Sequence, residues 1–275
     1  MSQTAQLLTG LSLLPYGLAA LLYAAMWLLR SRWLRIAAPA SLGAGLAINL
    51  FQLFHRWAAA GQPPFKTLYE SLILLAACIA VVYFAVEIVY RARILGLPSA
   101  LGCLGVMAFA WSRHAKDVVN LPAALQSGWF IPHVVIYFFG YAALFVGAGA
   151  ALLYLLRPKP IRLNRPDLVA GGIVDLEAML DGAVRFGFAM LTIGLLVGAV
   201  WAKAAWGDYW VWDPKETWSL VTWLIFAAYL HLHYLNGWRG RRLAVLVLIG
   251  FGAVAFTYLG MHLLPTAEQS AHVYQ

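Results

Sequence analysis

Six of the twelve tryptophans lie between Trp201 and Trp223, and the densest part reads Trp206-Gly-Asp-Tyr-Trp-Val-Trp-Asp-Pro-Lys-Glu-Thr-Trp218. A preference of indole for the membrane–water boundary accounts for Trp201, Trp218 and Trp223 at the ends of apolar runs. It does not require Trp206, Tyr209, Trp210 and Trp212 within one short connection. If residues 206–213 are helical, Trp206, Tyr209, Trp210 and Asp213 fall at i, i+3, i+4 and i+7 and share a face. Such a face is a flat, rigid apolar platform with a polar edge, suited to a large planar ligand. The acids beside it have a structural use. Asp213 precedes Pro214, and Glu216 stands three residues after Asp213. That is the pattern of an N-cap, a proline at the first helical position and a capping acid at the third. Thr67-Leu-Tyr-Glu70 predicts a second capping box, so acid–base catalysis is not indicated.

Histidine is the other chemistry-bearing residue. Of the seven, His133 follows Pro132 at the start of an apolar run, His231 and His233 lie inside another, and His262 and His272 sit near the C-terminus. Residues two apart on a helix point roughly 200° apart, so His231 and His233 cannot serve one site. His231 lies about 20 Å along the helix from Trp218, at 1.5 Å per residue. An ionisable group at that depth is a functional candidate. His233, nearer Arg239, reads as an interface residue, and His55 and His114 have no comparable framing. Cys78 and Cys103 lie inside apolar runs without CxxC spacing, which argues against a disulfide, a thiol redox centre or a structural zinc site.

The elements that must position these residues follow from composition. The 275 residues are 63% hydrophobic and only 11% charged, where a soluble domain carries roughly a quarter charged residues. The charges cluster between apolar runs near the ~20 residues needed to cross a ~30 Å hydrocarbon core. Backbone groups in that core must be satisfied internally, and continuous runs without strict alternation exclude a barrel. The fold class is all-α, a polytopic membrane helix bundle of about eight transmembrane helices. They are predicted at about 10–30, 34–54, 68–90, 95–111, 131–156, 184–204, 218–236 and 243–262, as one transmembrane domain over residues 1–275. The first run reads as a retained span, not a signal peptide. Asp175-Leu-Glu-Ala-Met-Leu-Asp181 reads as a short amphipathic helix ahead of span six.

Counting basic residues orients the bundle. The net charge is +8, and one set of connections, with Arg30, Arg91, Arg157 and Arg239 among its members, holds 13 of the 19 Lys and Arg. The other set holds Arg56, Lys66, Arg113, Lys116, Lys203 and Lys215. The richer side is cytoplasmic, which puts both termini outside, in a bacterial plasma (inner) membrane. The excess charge is thereby topological and embedded in membrane lipid, and nucleic acid is not an expected partner. His133, His262, His272 and the tryptophan loop 205–217 then share the outer side. Imidazoles beside an aromatic platform point to heme, for which histidine is a common axial ligand. Its propionates would favour outer cations such as Arg113, Lys116, Lys203 or Lys215.

The stretch from Trp206 through Asp213-Pro-Lys-Glu-Thr-Trp-Ser219 to Trp223, followed by Tyr229-Leu-His231, resembles the tryptophan-rich signature of the cytochrome c assembly family, and its CcsA (ResC) branch rather than CcmC. Thr67-Leu-Tyr-Glu-Ser71, Leu121-Pro-Ala-Ala-Leu-Gln-Ser-Gly-Trp129 leading to His133, and Gly198-Ala-Val-Trp-Ala202 resemble the same branch, from about residue 66 to the C-terminus. The resemblance implies a protein that works with a CcsB (ResB)-like membrane partner. Together they move heme b, a substrate in transit, to the outer face for attachment to the CxxCH cysteines of an apocytochrome c. It implies two outer histidine ligands beside the tryptophan loop and one within the following span, whose second ligand comes from the partner. His133 matches the first outer ligand and His231 the one within the span. The end departs from the family's usual Gly-Val-Asn and His-Ser-Tyr. Here Gly260-Met-His262 is followed, after a longer connection, by His272-Val-Tyr274, and His272 is preferred over His262 as the second outer ligand.

The expected site is therefore His133, His231 and His272 on iron, with Trp206, Tyr209, Trp210, Trp212 and Asp213 against the ring, in the heme-handling subunit of a holocytochrome c synthetase (heme lyase). Two other classes compete. A membrane electron-transfer subunit with a permanent heme needs two histidines at matched depth within the spans. A non-heme transporter needs several intramembrane carboxylates, for which Glu87 is the candidate.

Overall fold

The computed structural model describes residues 2–29, 31–113, 127–156, 161–162 and 173–260. Among these, eight helices follow one another: α1 Ser2–Leu28, α2 Leu34–Ala60, α3 Leu68–Tyr90, α4 Gly96–Ser112, α5 Phe130–Leu156, α6 Leu176–Trp206, α7 Pro214–Tyr234 and α8 Arg241–Leu259. Between α5 and α6, the strand β1 Ile161–Arg162 pairs antiparallel with β2 Ile173–Val174. Six helices are long and apolar enough to cross a membrane, and α4 is a shorter apolar helix. The chain is a polytopic membrane helix bundle, as its composition requires.

The helices form two compact units, one from α1–α4 with the β1–β2 pair and one from α5–α8. In the first unit, α1 packs on α2 and α4, and α3 on α2 and α4. Polar side chains join them. Gln52 Nε2 donates to the Ala5 carbonyl at 3.0 Å and to the Tyr69 hydroxyl at 2.6 Å. Arg56 donates from Nε and Nη2 to Glu70 Oε1 at 3.2 and 2.5 Å, with both residues buried. The other Glu70 oxygen accepts from the backbone of Thr67, closing the predicted capping box at the start of α3. Cys78 and Cys103 are free, buried thiols, and burial alone pairs them with nothing reactive.

In the second unit, α5 and α6 make the most extensive helix pair. Gly140 lies against Gly187, and Gly147 against Ala183, the small-residue contact that lets membrane helices approach closely. The α7–α8 pair is tied by Thr222 and Thr257, whose hydroxyls are 3.1 Å apart, and by Trp218 on Phe256, ring centroids 4.4 Å apart.

Several helices outrun the apolar segments that predict them. Helix α2 continues to Ala60 because the charge of Arg56, which ends the apolar run, is neutralised by Glu70 on α3. The segment 175–181, expected as a short helix leading into span six, runs continuously into it. From Leu176 it forms the start of a 31-residue α6, whose Asp181 is hydrogen-bonded by side chains of α7. Helix α7 begins at Pro214, capped by Asp213.

Candidate functional site

His133 stands in the first turn of α5 and is seated against the last turns of α6. Its Nδ1 lies 3.0 Å from the Gly194 carbonyl oxygen. A carbonyl only accepts, so Nδ1 carries the proton and Nε2 keeps the lone pair that a metal takes. The seat is a notch. A Cβ on Gly198 would fall 2.6 Å from His133 Cε1 and 2.7 Å from Nδ1, but 3.6 Å from Nε2. Glycine at this position is therefore what admits the ring, and Nε2 is the ring nitrogen farther from Gly198. The Trp201 ring stacks on the imidazole at 5.4 Å and 26°, and Tyr137 meets it edge-on at 4.9 Å. Trp206 adds a further ring, 4.8 Å from Trp201.

The tryptophan loop differs from the helix that would place Trp206, Tyr209, Trp210 and Asp213 on one face. Helix α6 stops at Trp206, Gly207 turns with φ +93°, and residues 207–213 are irregular. Trp212 has φ 57°, a left-handed conformation that costs roughly 1–2 kcal/mol for a residue with a Cβ. The reason for the irregular path is local competition for the backbone. Glu216 Oε2 accepts from Val211 N at 2.9 Å and Asp213 N at 3.1 Å, and Asp213 Oδ1 accepts from Lys215 N at 2.8 Å. Lys203 donates to the Gly207 carbonyl and lies over the Tyr209 ring. These bonds hold the loop from both ends.

The aromatics are consequently divided. Trp206 and Trp210 are half-buried, whereas Tyr209 is 59% and Trp212 68% exposed. Trp210 and Trp212 meet at right angles, 5.8 Å apart. The Trp210 indole N–H is buried and has no acceptor among the described residues, which is unusual for a buried indole. Asp213 is buried and acts as the N-cap of α7, within the capping box that its spacing to Glu216 predicts.

The second unit carries the other histidines of α7 on opposite sides of that helix. His231 is exposed, on the stripe that also presents Leu224 and Leu235. His233 is buried, with Nε2 3.3 Å from Asp181 Oδ1 on α6 and Nδ1 3.1 Å from the Trp238 carbonyl oxygen. In the first unit, His55 packs on Phe51 and Glu87 is ion-paired with Arg93 at 2.6 Å. Of the cations considered for propionates, Lys203 braces the loop, Arg113 lies over Phe109 at 4.6 Å, and Lys215 sits in the first turn of α7. Lys116, His114, His262 and His272 lie outside the described residues, so the pairing of His133 with His272 is not addressed by this geometry. Gly194 and Gly198, which seat the His133 ring, are neighbours that reading for ligands passes over. The four-residue spacing of the two glycines on one face of α6 is the signal that could have found them.

Residues 65–267 match the family model described as cytochrome C assembly protein. The cytochrome c biogenesis protein CcsA of Synechococcus elongatus is 38% identical over 82% of this chain and 85% of its own length. The protein of that name from Chlamydomonas reinhardtii is 37% identical over 81% of this chain and 65% of its own. Among solved structures, the cytochrome c heme lyase CcmF superposes with a TM-score of 0.66 at 18% identity, over 95% of this chain. This chain spans about half of that one, 49% of its length, and at such identity the likeness is one of fold.

Proposed function

The chain belongs to the cytochrome c assembly protein family, and we propose that it receives heme b, holds it beside the tryptophan loop and presents it to an apocytochrome c. It is a heme-handling membrane subunit of cytochrome c biogenesis. The observation that carries the reading is the seat of His133. A proton fixed on Nδ1 by the Gly194 carbonyl leaves an Nε2 lone pair on a ring stacked against the Trp201 indole, and an imidazole so oriented is a stronger and better-aimed iron ligand.

In this reading heme enters from the cytoplasmic side past His231, whose partner ligand comes from a CcsB-like membrane protein, and reaches the outer site. There His133 and His272 take the two axial positions. Trp206, Trp210 and Trp212 cover one porphyrin face, with Tyr209 at the loop's edge, and leave the vinyl groups open. The unpaired Trp210 N–H supplies a donor for a propionate oxygen. Each apocytochrome thiol adds across a vinyl group, sulfur bonding to the carbon next to the ring and hydrogen to the terminal carbon. The bond-making belongs to heme and thiols, and the protein's part is to position them. Both termini would face outward, across a bacterial plasma membrane.

The test is purification with and without a CcsB-like partner, followed by heme spectra of the wild type and His133→Ala. Loss of the outer heme signal and of cytochrome c maturation is expected. Unchanged heme content with unimpaired maturation would discard the assignment.

A further inference from the structure

The inner end of the second unit holds a buried polar network that no part of heme ligation requires as such. Its centre is Asp181 on α6, a buried residue whose carboxylate accepts hydrogen bonds from two tyrosines and lies within ion-pair distance of an arginine and a histidine. Tyr234 donates to Oδ2 at 2.8 Å and Tyr229 to Oδ1 at 3.4 Å. Arg185 Nε lies 3.0 Å from Oδ2 and His233 Nε2 lies 3.3 Å from Oδ1. Three of these four partners belong to α7, at positions 229, 233 and 234, and they bracket His231. The network continues past the helix end. Arg239 donates to the carbonyls of His233 and Trp238 at 2.9 and 3.0 Å, and Glu177 accepts from Gly240 N at 3.1 Å.

Asp181, Tyr229 and His233 are buried, while Tyr234 and Arg185 reach the carboxylate from the exposed side. Burying a carboxylate, a phenol and an imidazole together costs desolvation, and hydrophobic residues would pack at least as well. What they provide instead is registry. Tyr229 and His233 each lie two residues from His231, roughly 200° around the helix, so they mark the side opposite to it. Tyr234, three residues on and about 60° from His231, reaches the same carboxylate from the near side. Fastening these residues to one oxygen pair on α6 sets both the rotation of α7 and its depth. A turn of α7 by one residue would swing His231 through about 100° and break every bond to Asp181 together. A further polar joint between these helices among the described residues, Trp223 Nε1 to Thr192 Oγ1 at 2.9 Å, lies toward the start of α7, six residues before Tyr229. It leaves the end of α7 to the Asp181 network.

We propose that Asp181 is a positioning residue for His231: through Tyr229, His233 and Tyr234 it holds α7 at the rotation that presents the His231 imidazole outward to an iron-bound tetrapyrrole. The inference rests on the reading of His231 as a heme ligand. It differs from that reading in making an acid on another helix, which touches neither heme nor His231, necessary for ligation.

The experiment uses the full chain, co-expressed with its CcsB-like partner, in a His133→Ala background so that inner-site heme is observed alone. Heme per protein and the reduced-minus-oxidised spectrum are measured for Asp181→Leu, His231→Ala and the double variant. Asp181→Leu is expected to lower inner-site heme about tenfold, the lower end of what losing an outer-shell partner does to metal affinity. The double variant is expected to hold no less heme than His231→Ala alone. Because Asp181→Leu strands donors and can impair accumulation, Tyr229→Phe/Tyr234→Phe is measured as well. It leaves the carboxylate with Arg185 and His233, and is expected to shift the ligand-dependent bands at unchanged protein yield. Wild-type spectra in both Asp181→Leu and the tyrosine pair overturn the proposal. So does a double variant whose loss is the product of the two single losses. If His231→Ala itself leaves inner-site heme intact, the reading of His231 fails and this inference falls with it, an outcome distinct from the other two.

Discussion

His133 and His231 are both read as iron ligands, yet the second unit holds them in opposite ways. His133 is locked by its own contacts: a backbone carbonyl on one nitrogen, a glycine notch beneath the ring and an indole stacked on it. His231 is exposed, and the bonds that orient it are made by its neighbours to Asp181. The difference teaches that a ligand facing the interior of its own unit can be aimed directly. One that must meet a group from elsewhere has to be aimed through the rotation of its helix. The first design is sensitive to a single methyl group, the second to a charge on another element.

Four substitutions, two of them set beside a comparison variant, sharpen or break that contrast. The largest effect is expected from His133→Ala, which removes the ligand. Outer-site heme and cytochrome c maturation should fall at least about 100-fold, as when a metal loses a ligand and not merely its support. Next is Gly198→Ala, whose new methyl would stand 2.6 Å from the ring. Outer-site heme affinity should fall about tenfold with the protein still accumulating. Gly252→Ala on α8, where a Cβ meets nothing within 4 Å, should change neither heme content nor spectrum. Equal behaviour of the two glycine variants in a heme titration would remove the notch from the account. Third, Asp213→Ala deletes the cap of α7 and should cost about 1 kcal/mol, read as a lower thermal midpoint and a severalfold loss of heme. The smallest effect is expected from Tyr209→Ala. Its ring is exposed beneath Lys203, so heme retention should stay within about twofold of wild type. Trp206→Ala, which deletes a ring packed on Trp201, should lose more. If Tyr209 matters as much as Trp206, the two share a platform in the heme-bound protein that the irregular loop does not make.

The two capping boxes also separate what is readable from what is not. Thr67 with Glu70 and Asp213 with Glu216 each close within four residues, and both are legible from residue type and spacing alone. So is the existence of the spans, because apolar length is a property of contiguous sequence. Their ends are less so. Arg56 and Asp181 look like boundaries until their partners are known, and Tyr229 and Tyr234 stand 48 and 53 residues from Asp181.

The sequence by itself determined a membrane helix bundle, the caps that start α3 and α7, the tryptophan-rich segment and the placement of His231 and His233 on opposite sides of one helix. All of these follow from short-range rules of hydropathy, capping and helical period. Tertiary structure decided the proton position on His133, through a carbonyl 61 residues away. It decided the irregular path that turns Tyr209 and Trp212 outward, and the burial of His233 against Asp181 with His231 left exposed. Those outcomes depend on which buried polar group finds which partner across helices, and no local periodicity encodes that choice.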